Sequence, residues 1–242
     1  MEWYPRNPDL LEKALNKYLD NKPDNISEIA KKINGIIVPH AGYNFSGHIA
    51  GKAFNILMNS EKNLNKAIIL APSHHAYFKG IASISKAETP LGQIQIEETP
   101  SAKIDYEHAI DNQIPFLQKT GFTEILPLVI GEMDEQQIEK TAQEISEKLE
   151  QEPETALIIS TDLSHFLSYD KAIDKDKQTI DIIQNLDIES SENIDACGKT
   201  PLKILIHICK IKNWKPQLIE YKNSGDIIGD KSKVVGYASM VF

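Results

Sequence analysis

Three short apolar stretches of this sequence each end in side chains that can bind a metal or move a proton. They occupy residues 35–38, 67–71 and 156–160, and each has the length of a buried strand. Imidazole and carboxylate groups are common acid/base and metal-ligating side chains in proteins. We therefore treat the residues that follow the three stretches as one candidate site. In chain order they are His40, His74 with His75, and Asp162 with His165.

A cysteine supplies a further candidate from a different pattern. Cys197 lies just before Gly198 and a helix predicted to begin near Pro201. The unpaired N–H groups and positive dipole end of a helix N-terminus favour thiolate over thiol. Cys197 is therefore either a metal ligand or nucleophile, or a small residue packed in a turn. Cys209 lies on an apolar helical face and is assigned to the core.

These side-chain types favour particular metals. Neutral imidazole combined with thiolate or carboxylate suits zinc, iron or copper better than magnesium or calcium, which prefer oxygen ligands. A ligand set carried on loops leaves a coordination position open, and an unbound histidine nearby can transfer protons. The sequence contains no Gly-x-Ser-x-Gly, P-loop or Gly-x-Gly-x-x-Gly motif, so it gives no support to serine-hydrolase or nucleotide-dependent chemistry.

The elements that carry these residues alternate between strands and helices. Such alternation is typical of a single α/β domain, here residues 1–242, with a largely parallel or mixed central sheet covered by helices on both faces. Residues 21–34 are polar and are predicted to be a connection. Strands are predicted at about residues 36–38, 67–70, 124–130, 156–160, 218–221 and 234–242. Helices are predicted to end near Leu19 and to span about 47–58, 108–119, 134–149, 170–187 and 201–209.

Three local predictions accompany this scheme. Residues 81–85 and 93–96 alternate in polarity around the turn at 89–92, which favours a hairpin or an addition to the sheet edge. Pro127 indicates that its strand is irregular or near an edge. Residues 223–230 are rich in Gly and Asp and are predicted to be a loop.

The sheet itself would bring the candidate residues together. In open α/β sheets, ligands bind beyond the carboxyl ends of the strands. A single histidine at a strand end is more often structural, but three strand ends that all carry histidine favour a shared site. His108, next to Glu107 at a predicted helix start, either lines this pocket or serves the first helical turn.

Composition excludes several classes of partner. The chain has 242 residues, of which 41% are hydrophobic and 25% charged, with a net charge of -9. Nucleic-acid binding relies on clustered Lys and Arg, so this charge argues against it. No apolar run approaches the roughly 18 residues of a membrane span, and the use of only two cysteines suits a reducing compartment. We expect a cytoplasmic protein that binds neither nucleic acid nor membrane.

Taken together, these motifs resemble the Memo family, also called AmmeMemoRadiSam system protein B. The similarity extends over nearly the whole chain in the family's order. It covers Trp3-Tyr-Pro, Val38-Pro-His-Ala-Gly-Tyr43, Gly47, Pro72-Ser-His-His75, Thr89-Pro-Leu-Gly92, Glu107-His108 with Pro115-Phe116, Ser160-Thr-Asp-Leu-Ser-His165, Cys197-Gly198 with Pro201, and Asn223-Ser-Gly-Asp226 through Gly229-Asp230 to Val235-Gly-Tyr237.

The resemblance implies a fold similar to the LigB-like extradiol dioxygenases, which hold non-haem Fe(II) with two His and one Glu. By position, it implies that His40 and His74 are metal ligands and that Cys197 replaces the glutamate. His165 corresponds to the acid/base histidine. The resemblance also implies association with radical SAM and AMMECR-type proteins.

Three hypotheses follow from the resemblance. The first is a Memo-like protein that binds iron or copper, with zinc as a third candidate, and that is redox-active. The second is an extradiol-type dioxygenase or another metal-dependent oxidoreductase, although the thiolate in place of glutamate argues against ring cleavage. The third is a metal-free module that binds a peptide or protein. The predicted metal ligands are His40, His74 and Cys197, and the predicted catalytic residues are His165 and Asp162. A pocket for a small molecule or peptide is predicted to be lined by Tyr43, His75 and His108.

Overall fold

The computed structural model describes residues 2–20 and 33–242. Most of the predicted connection at 21–34 therefore lies outside the described residues. The strands are β1 (Gly35–Val38), β2 (Lys66–Pro72), β3 (Ile81–Ile84), β4 (Glu88–Thr89), β5 (Gly92–Gln93), β6 (Gln95–Ile96), β7 (Ala102–Ile104), β8 (Glu124–Ile130), β9 (Thr155–Ser160), β10 (His165–Leu167), β11 (Gln217–Asn223) and β12 (Val234–Val241). The α-helices are α1 (Pro8–Leu19), α2 (Tyr43–Met58), α3 (His108–Asp111), α4 (Ile114–Lys119), α5 (Glu135–Gln151), α6 (Tyr169–Asn185), α7 (Lys199–Lys212) and α8 (Ser224–Ile228).

The central sheet is mixed, with a parallel middle. Its strand order is β10-β12-β1-β9-β2-β8-β3-β7, with β11 paired to β12 and β6 to β8. Strands β1, β9, β2 and β8 run parallel to one another, whereas β12 and β3 are antiparallel to their neighbours β1 and β8. Because β1, β9 and β2 are adjacent and parallel, the residues that follow them emerge at the same edge.

Both faces of the sheet are covered by helices. In β1, Ile36 and Val38 pack into the core formed with α1, α2 and α4, whereas Ile37 packs into the core formed with α5, α6 and α7. Strands buried on both faces read as continuous apolar runs, which explains the hydrophobic stretches in the sequence. The predicted α/β fold is confirmed and is consistent with the LigB-like architecture. Within residues 2–20 and 33–242, no helix is both long and apolar enough to cross a membrane.

Of the two alternatives predicted for 81–85 and 93–96, addition to the edge of the sheet is confirmed, whereas a hairpin between the two segments is not observed. The turn itself forms a short hairpin in which Thr89 lies opposite Gly92. Strand β3 instead pairs with β8 and β7, while β6 joins the other end of β8 in parallel. The seven-residue β8 thus has a short partner at each end on this side, and Pro127 lies in the interval between them. Proline lacks a ladder donor, which suits that position.

Two further predictions need correction. The single helix predicted over 108–119 is broken into α3 and α4, because Pro115 would clash with the carbonyl of Asp111, the last residue of α3. The loop predicted over 223–230 contains α8. Its capping box is formed by the side chain of Asn223, which accepts from the N–H of Asp226, and by the Asp226 carboxylate, which accepts from the N–H of Asn223.

Candidate metal centre

The sheet edge beyond β1, β9 and β2 carries the predicted site residues. Val38 pairs with Ser160 and Leu70 with Ile159, so the three strands end at similar heights. Cys197 reaches this edge from the connection that leads into α7. Its main-chain N–H lies 3.3 Å from the carbonyl oxygen of Asp162. Two distant parts of the chain are thereby joined at one point.

Three metal-ligating atoms converge there. His40 Nε2 lies 3.3 Å from Cys197 Sγ, and the rings of His40 and His74 meet edge to face with their centroids 5.1 Å apart. One ligand atom from each of these three residues can be chosen so that all lie within 4.8 Å of one another. The structure thus brings together the residues predicted to be metal ligands.

The imidazole of His40 is buried, with 2% of its surface exposed. Its Nδ1 atom lies 3.0 Å from Ser160 Oγ. Burial lowers the pKa of His40 well below its usual value, and the neighbouring His74 and His108 lower it further. His40 is therefore neutral at physiological pH, which is the form that binds metals.

The imidazole of His74 is held by a buried carboxylate. Its Nδ1 atom lies 3.0 Å from Glu107 Oε1, and its main-chain N–H donates to Glu107 Oε2 at 2.7 Å. Burial opposes ionisation of Glu107, but hydrogen bonds from His108, His74 and the N–H of Ala109 outweigh it and hold the pKa of this carboxyl well below its usual range. An ionised carboxylate only accepts, so His74 carries its proton on Nδ1 and its Nε2 lone pair is available to a metal.

His108 and His75 lie beside this pair. His108 Nδ1 is 3.0 Å from His75 Nε2 and 3.1 Å from Glu107 Oε1. The indole of Trp3 stacks on the His108 ring at a centroid distance of 4.3 Å. His75 is exposed and His108 is buried, so the two rings connect the surface to the carboxylate behind His74.

Tyr43, another predicted pocket residue, is turned into the core. Its ring lies 5.0 Å from that of Phe116, and its hydroxyl donates to the carbonyl of Asn112 at 2.8 Å. That hydroxyl holds the end of α3 against the start of α2. The ring also borders a cavity of about 400 Å³ shared with Trp3 and Arg6.

Asp162 and His165, the predicted catalytic residues, adopt different environments. Asp162 is buried, and its Oδ1 accepts the main-chain N–H of His40 at 2.8 Å. Burial raises the pKa of Asp162 to about 6, against the lowering effect of that N–H and of the nearby His165. His165 is exposed and is the first residue of strand β10, five residues beyond the end of β9. The structure thus places one acid inside the site and one imidazole at its mouth.

Cys197 is less acidic than its position suggested. Burial, followed by the charge of Asp162, raises the pKa of the thiol to about 12. The N–H groups of Asp162, which donates to Sγ at 3.2 Å, and of Gly198 at the start of α7 lower this pKa as expected, but desolvation outweighs them in the metal-free protein. Without a metal, Cys197 carries a proton.

Sequence reasoning gave no role to four polar residues that support the site, and the structure shows what each contacts. They are Glu107, Asn112, Gln113 and Ser160. The side chain of Asn112 donates to the carbonyl of His40, and the side chain of Gln113 donates to the carbonyl of Pro39. These two hydrogen bonds hold the α3–α4 segment against the residues that follow β1. Two adjacent amides, Asn112 and Gln113, interrupt an otherwise apolar helical pattern, and this was a sequence signal for these two residues.

A second group, His74, Glu107 and His108, also has ligand atoms within 4.8 Å of one another among the described residues. Glu107 Oε1, however, already accepts hydrogen bonds from both imidazoles. A cation there would have to displace both protons. The group is better explained as support for His74 than as a separate metal site.

Comparison with known proteins identifies relatives over most of the chain. The family model described as "Memo-like protein" matches residues 2–241. A MEMO1 family protein of Sulfurisphaera tokodaii is 35% identical, over 85% of this chain and 81% of its own length. Those of Sulfolobus acidocaldarius and Aquifex aeolicus are 34% and 31% identical, over 97% and 99% of this chain and 89% and 96% of their own lengths. The chain belongs to the Memo family.

Proposed function

We propose that this Memo family protein binds a redox-active metal ion, iron or copper, through His40, His74 and Cys197. Zinc is the third candidate. The observation that carries the proposal is the convergence of two imidazole nitrogens and one sulfur within 4.8 Å of one another. These atoms come from three separate segments of the chain, which the parallel strands and the connection before α7 bring together.

The donor set fits such an ion. A soft sulfur with two imidazoles suits Cu(I), zinc or iron and does not suit magnesium or calcium. Glu107 keeps the Nε2 lone pair of His74 available. Three protein ligands leave a coordination position for a small ligand, as in catalytic rather than structural sites.

A bound iron or copper ion would supply one-electron redox chemistry and polarise a ligand in its open position. The chain's own residues shape the surroundings. Asp162 holds the backbone of His40 in place, and the exposed ring of His165 can exchange protons with solvent at its nitrogens. The exposed edge of His74 gives a small molecule or peptide access to the same point.

Activity as an oxidoreductase, including an extradiol-type dioxygenase, is a second candidate. It is favoured by the proximity of His165 to the buried Asp162, an arrangement suited to proton transfer beside the ligand set. Radical SAM and AMMECR-type proteins are the proposed partners, on the resemblance alone.

Cobalt(II) titration of metal-free protein tests the metal proposal. We expect about one equivalent to bind with an intense near-ultraviolet band from the thiolate, and Cys197→Ser to lose that band. The matched control is Cys209→Ala, which removes a buried cysteine in the C-terminal half of α7. This variant should keep the near-ultraviolet band. If Cys197→Ser binds cobalt with an unchanged spectrum, the proposed ligand set is wrong.

A further inference from the structure

The hydroxyl of Ser160, the last residue of β9, is the centre of a buried hydrogen-bond network beneath His40. Ser160 is 0% exposed. Its Oγ lies 2.6 Å from the carbonyl oxygen of Ala109, 2.9 Å from Gln113 Nε2 and 3.0 Å from His40 Nδ1. Three elements, β1, β9 and the α3–α4 segment, therefore meet at one oxygen atom.

The positions of the hydrogens in this network follow from the chemistry of the partners. A carbonyl oxygen can only accept, so the single proton of the Ser160 hydroxyl goes to Ala109. Gln113 Nε2 also lies 3.0 Å from the carbonyl of Pro39, which identifies this atom as the amide nitrogen and as a donor to Ser160. The hydroxyl proton is thus committed, and only the lone pairs of Oγ face His40. The Nδ1 atom of His40 must carry a hydrogen and donate it.

This assignment decides what the other ring nitrogen presents. With the proton on Nδ1, the lone pair of His40 lies on Nε2, which is 3.3 Å from Cys197 Sγ. An imidazole side chain in water prefers the opposite tautomer, with the proton on Nε2. That tautomer would point a hydrogen at the position where a metal would bind, and would set the Nδ1 lone pair against those of Ser160.

We propose that Ser160 is a positioning residue that holds His40 in the tautomer with a protonated Nδ1 and a ligating Nε2. The purpose of this arrangement rests on the proposed metal function, but the arrangement itself is a property of the metal-free protein. It parallels the role of Glu107 towards His74, with a neutral hydroxyl in place of a carboxylate. Partners of this kind fix the tautomer and orientation of metal-bound histidines.

Nitrogen-15 NMR of the imidazole rings in metal-free protein reads the tautomer directly. The chain has seven histidines, and the signals of His40 are identified as those that His40→Gln removes. We expect wild-type His40 to show a protonated Nδ1 and an unprotonated Nε2. A wild-type signal with the proton on Nε2 would overturn the proposal without any need for a further variant.

Two substitutions separate positioning from packing. Ser160→Ala removes the acceptor, and we expect His40 to shift towards the Nε2-protonated tautomer and cobalt affinity to fall about 10- to 100-fold. Ser160→Thr keeps the hydroxyl but adds a buried methyl group, so it should lower the melting temperature while retaining the tautomer. The matched control is Ser146→Ala, which removes another buried hydroxyl, one that donates to the carbonyl of Ala142 at 2.7 Å. It should leave the tautomer and cobalt affinity unchanged.

The outcomes distinguish this inference from the metal proposal. If Ser160→Ala leaves His40 protonated on Nδ1, or if Ser160→Thr loses that tautomer while folded, Ser160 does not position the ring. If the tautomer changes as expected but none of the proteins binds metal, Ser160 has the assigned role and the metal proposal fails. If metal binds and the tautomer does not change, only the role of Ser160 fails.

Discussion

Replacing Glu107 with glutamine should weaken both the metal site and the fold. Glu107 Oε1 accepts from three N–H groups, those of His74 Nδ1, His108 Nδ1 and the Ala109 main chain. Oε2 accepts the main-chain N–H of His74 at 2.7 Å. The best orientation of a glutamine keeps its carbonyl at the Oε1 position and turns its NH₂ towards the His74 N–H. One buried donor then faces another.

The size of the effect follows from these contacts. A buried donor left without an acceptor costs about 1–3 kcal/mol of folding free energy. Loss of the group that orients a metal-binding histidine costs about 10- to 100-fold in metal affinity. Glu107→Gln should therefore lower both the free energy of unfolding and the metal affinity. The control is Glu220→Gln. The Glu220 carboxylate forms an ion pair with Lys52 at 3.0 Å and is not part of the proposed ligand set, so this variant should leave metal affinity unchanged.

The pH dependence gives this prediction a sign. The pKa of Glu107 is lowered in the folded protein, so its ionisation stabilises the wild type above the unfolded value of about 4.3. That stabilisation is lost as pH falls through the folded pKa. Urea unfolding between about pH 3 and pH 7 measures the free energy of unfolding of both proteins. The difference between the wild type and Glu107→Gln should become smaller as the pH falls below the unfolded pKa. A difference that stays constant, or metal affinity that does not fall, would refute the reasoning.

Two further predictions concern Cys197 and its neighbour. Because the pKa of the Cys197 thiol is about 12, metal binding at pH 8 should release about one proton, and metal affinity should rise about tenfold per pH unit. Calorimetry in buffers of different ionisation enthalpy measures the proton release. If Cys197→Ser releases the same proton, that proton does not come from Cys197. Gly198→Ala should lose about 1–3 kcal/mol of unfolding free energy and weaken cobalt binding, because its Cβ would lie 2.6 Å from the Thr161 side chain. The control Gly42→Ala, whose Cβ has its nearest neighbour at 3.7 Å, should change neither, and equal losses in both would show that the contact with Thr161 does not matter.

The strands and their terminal histidines could be predicted because buried parallel strands give continuous apolar runs. The order β1-β9-β2 could not, since sequence alone does not show which strands are neighbours. Yet this order is what places His40 beside the residues after β9. The strand ends were a local signal, and their proximity is a property of the whole sheet.

The supporting residues were harder to predict for a related reason. Ser160 and Gln113 are 47 positions apart in the chain and touch only in the folded protein. The acidity of Cys197 also depended on the fold, because the helix start was visible in the sequence whereas the burial that raises its pKa was not. By contrast, the capping box of Asn223 and Asp226 was legible as a local motif, and the loop prediction overlooked it.

Anomalous diffraction from crystals loaded with the metal tests the central claim most directly. We predict one strong peak about 2.0–2.1 Å from His40 Nε2 and His74 Nε2 and about 2.3 Å from Cys197 Sγ. A peak beside Glu107 and His108 would show that the second ligand group is the true metal site. The absence of any peak at Cys197 in fully loaded protein would contradict the proposed ligand set.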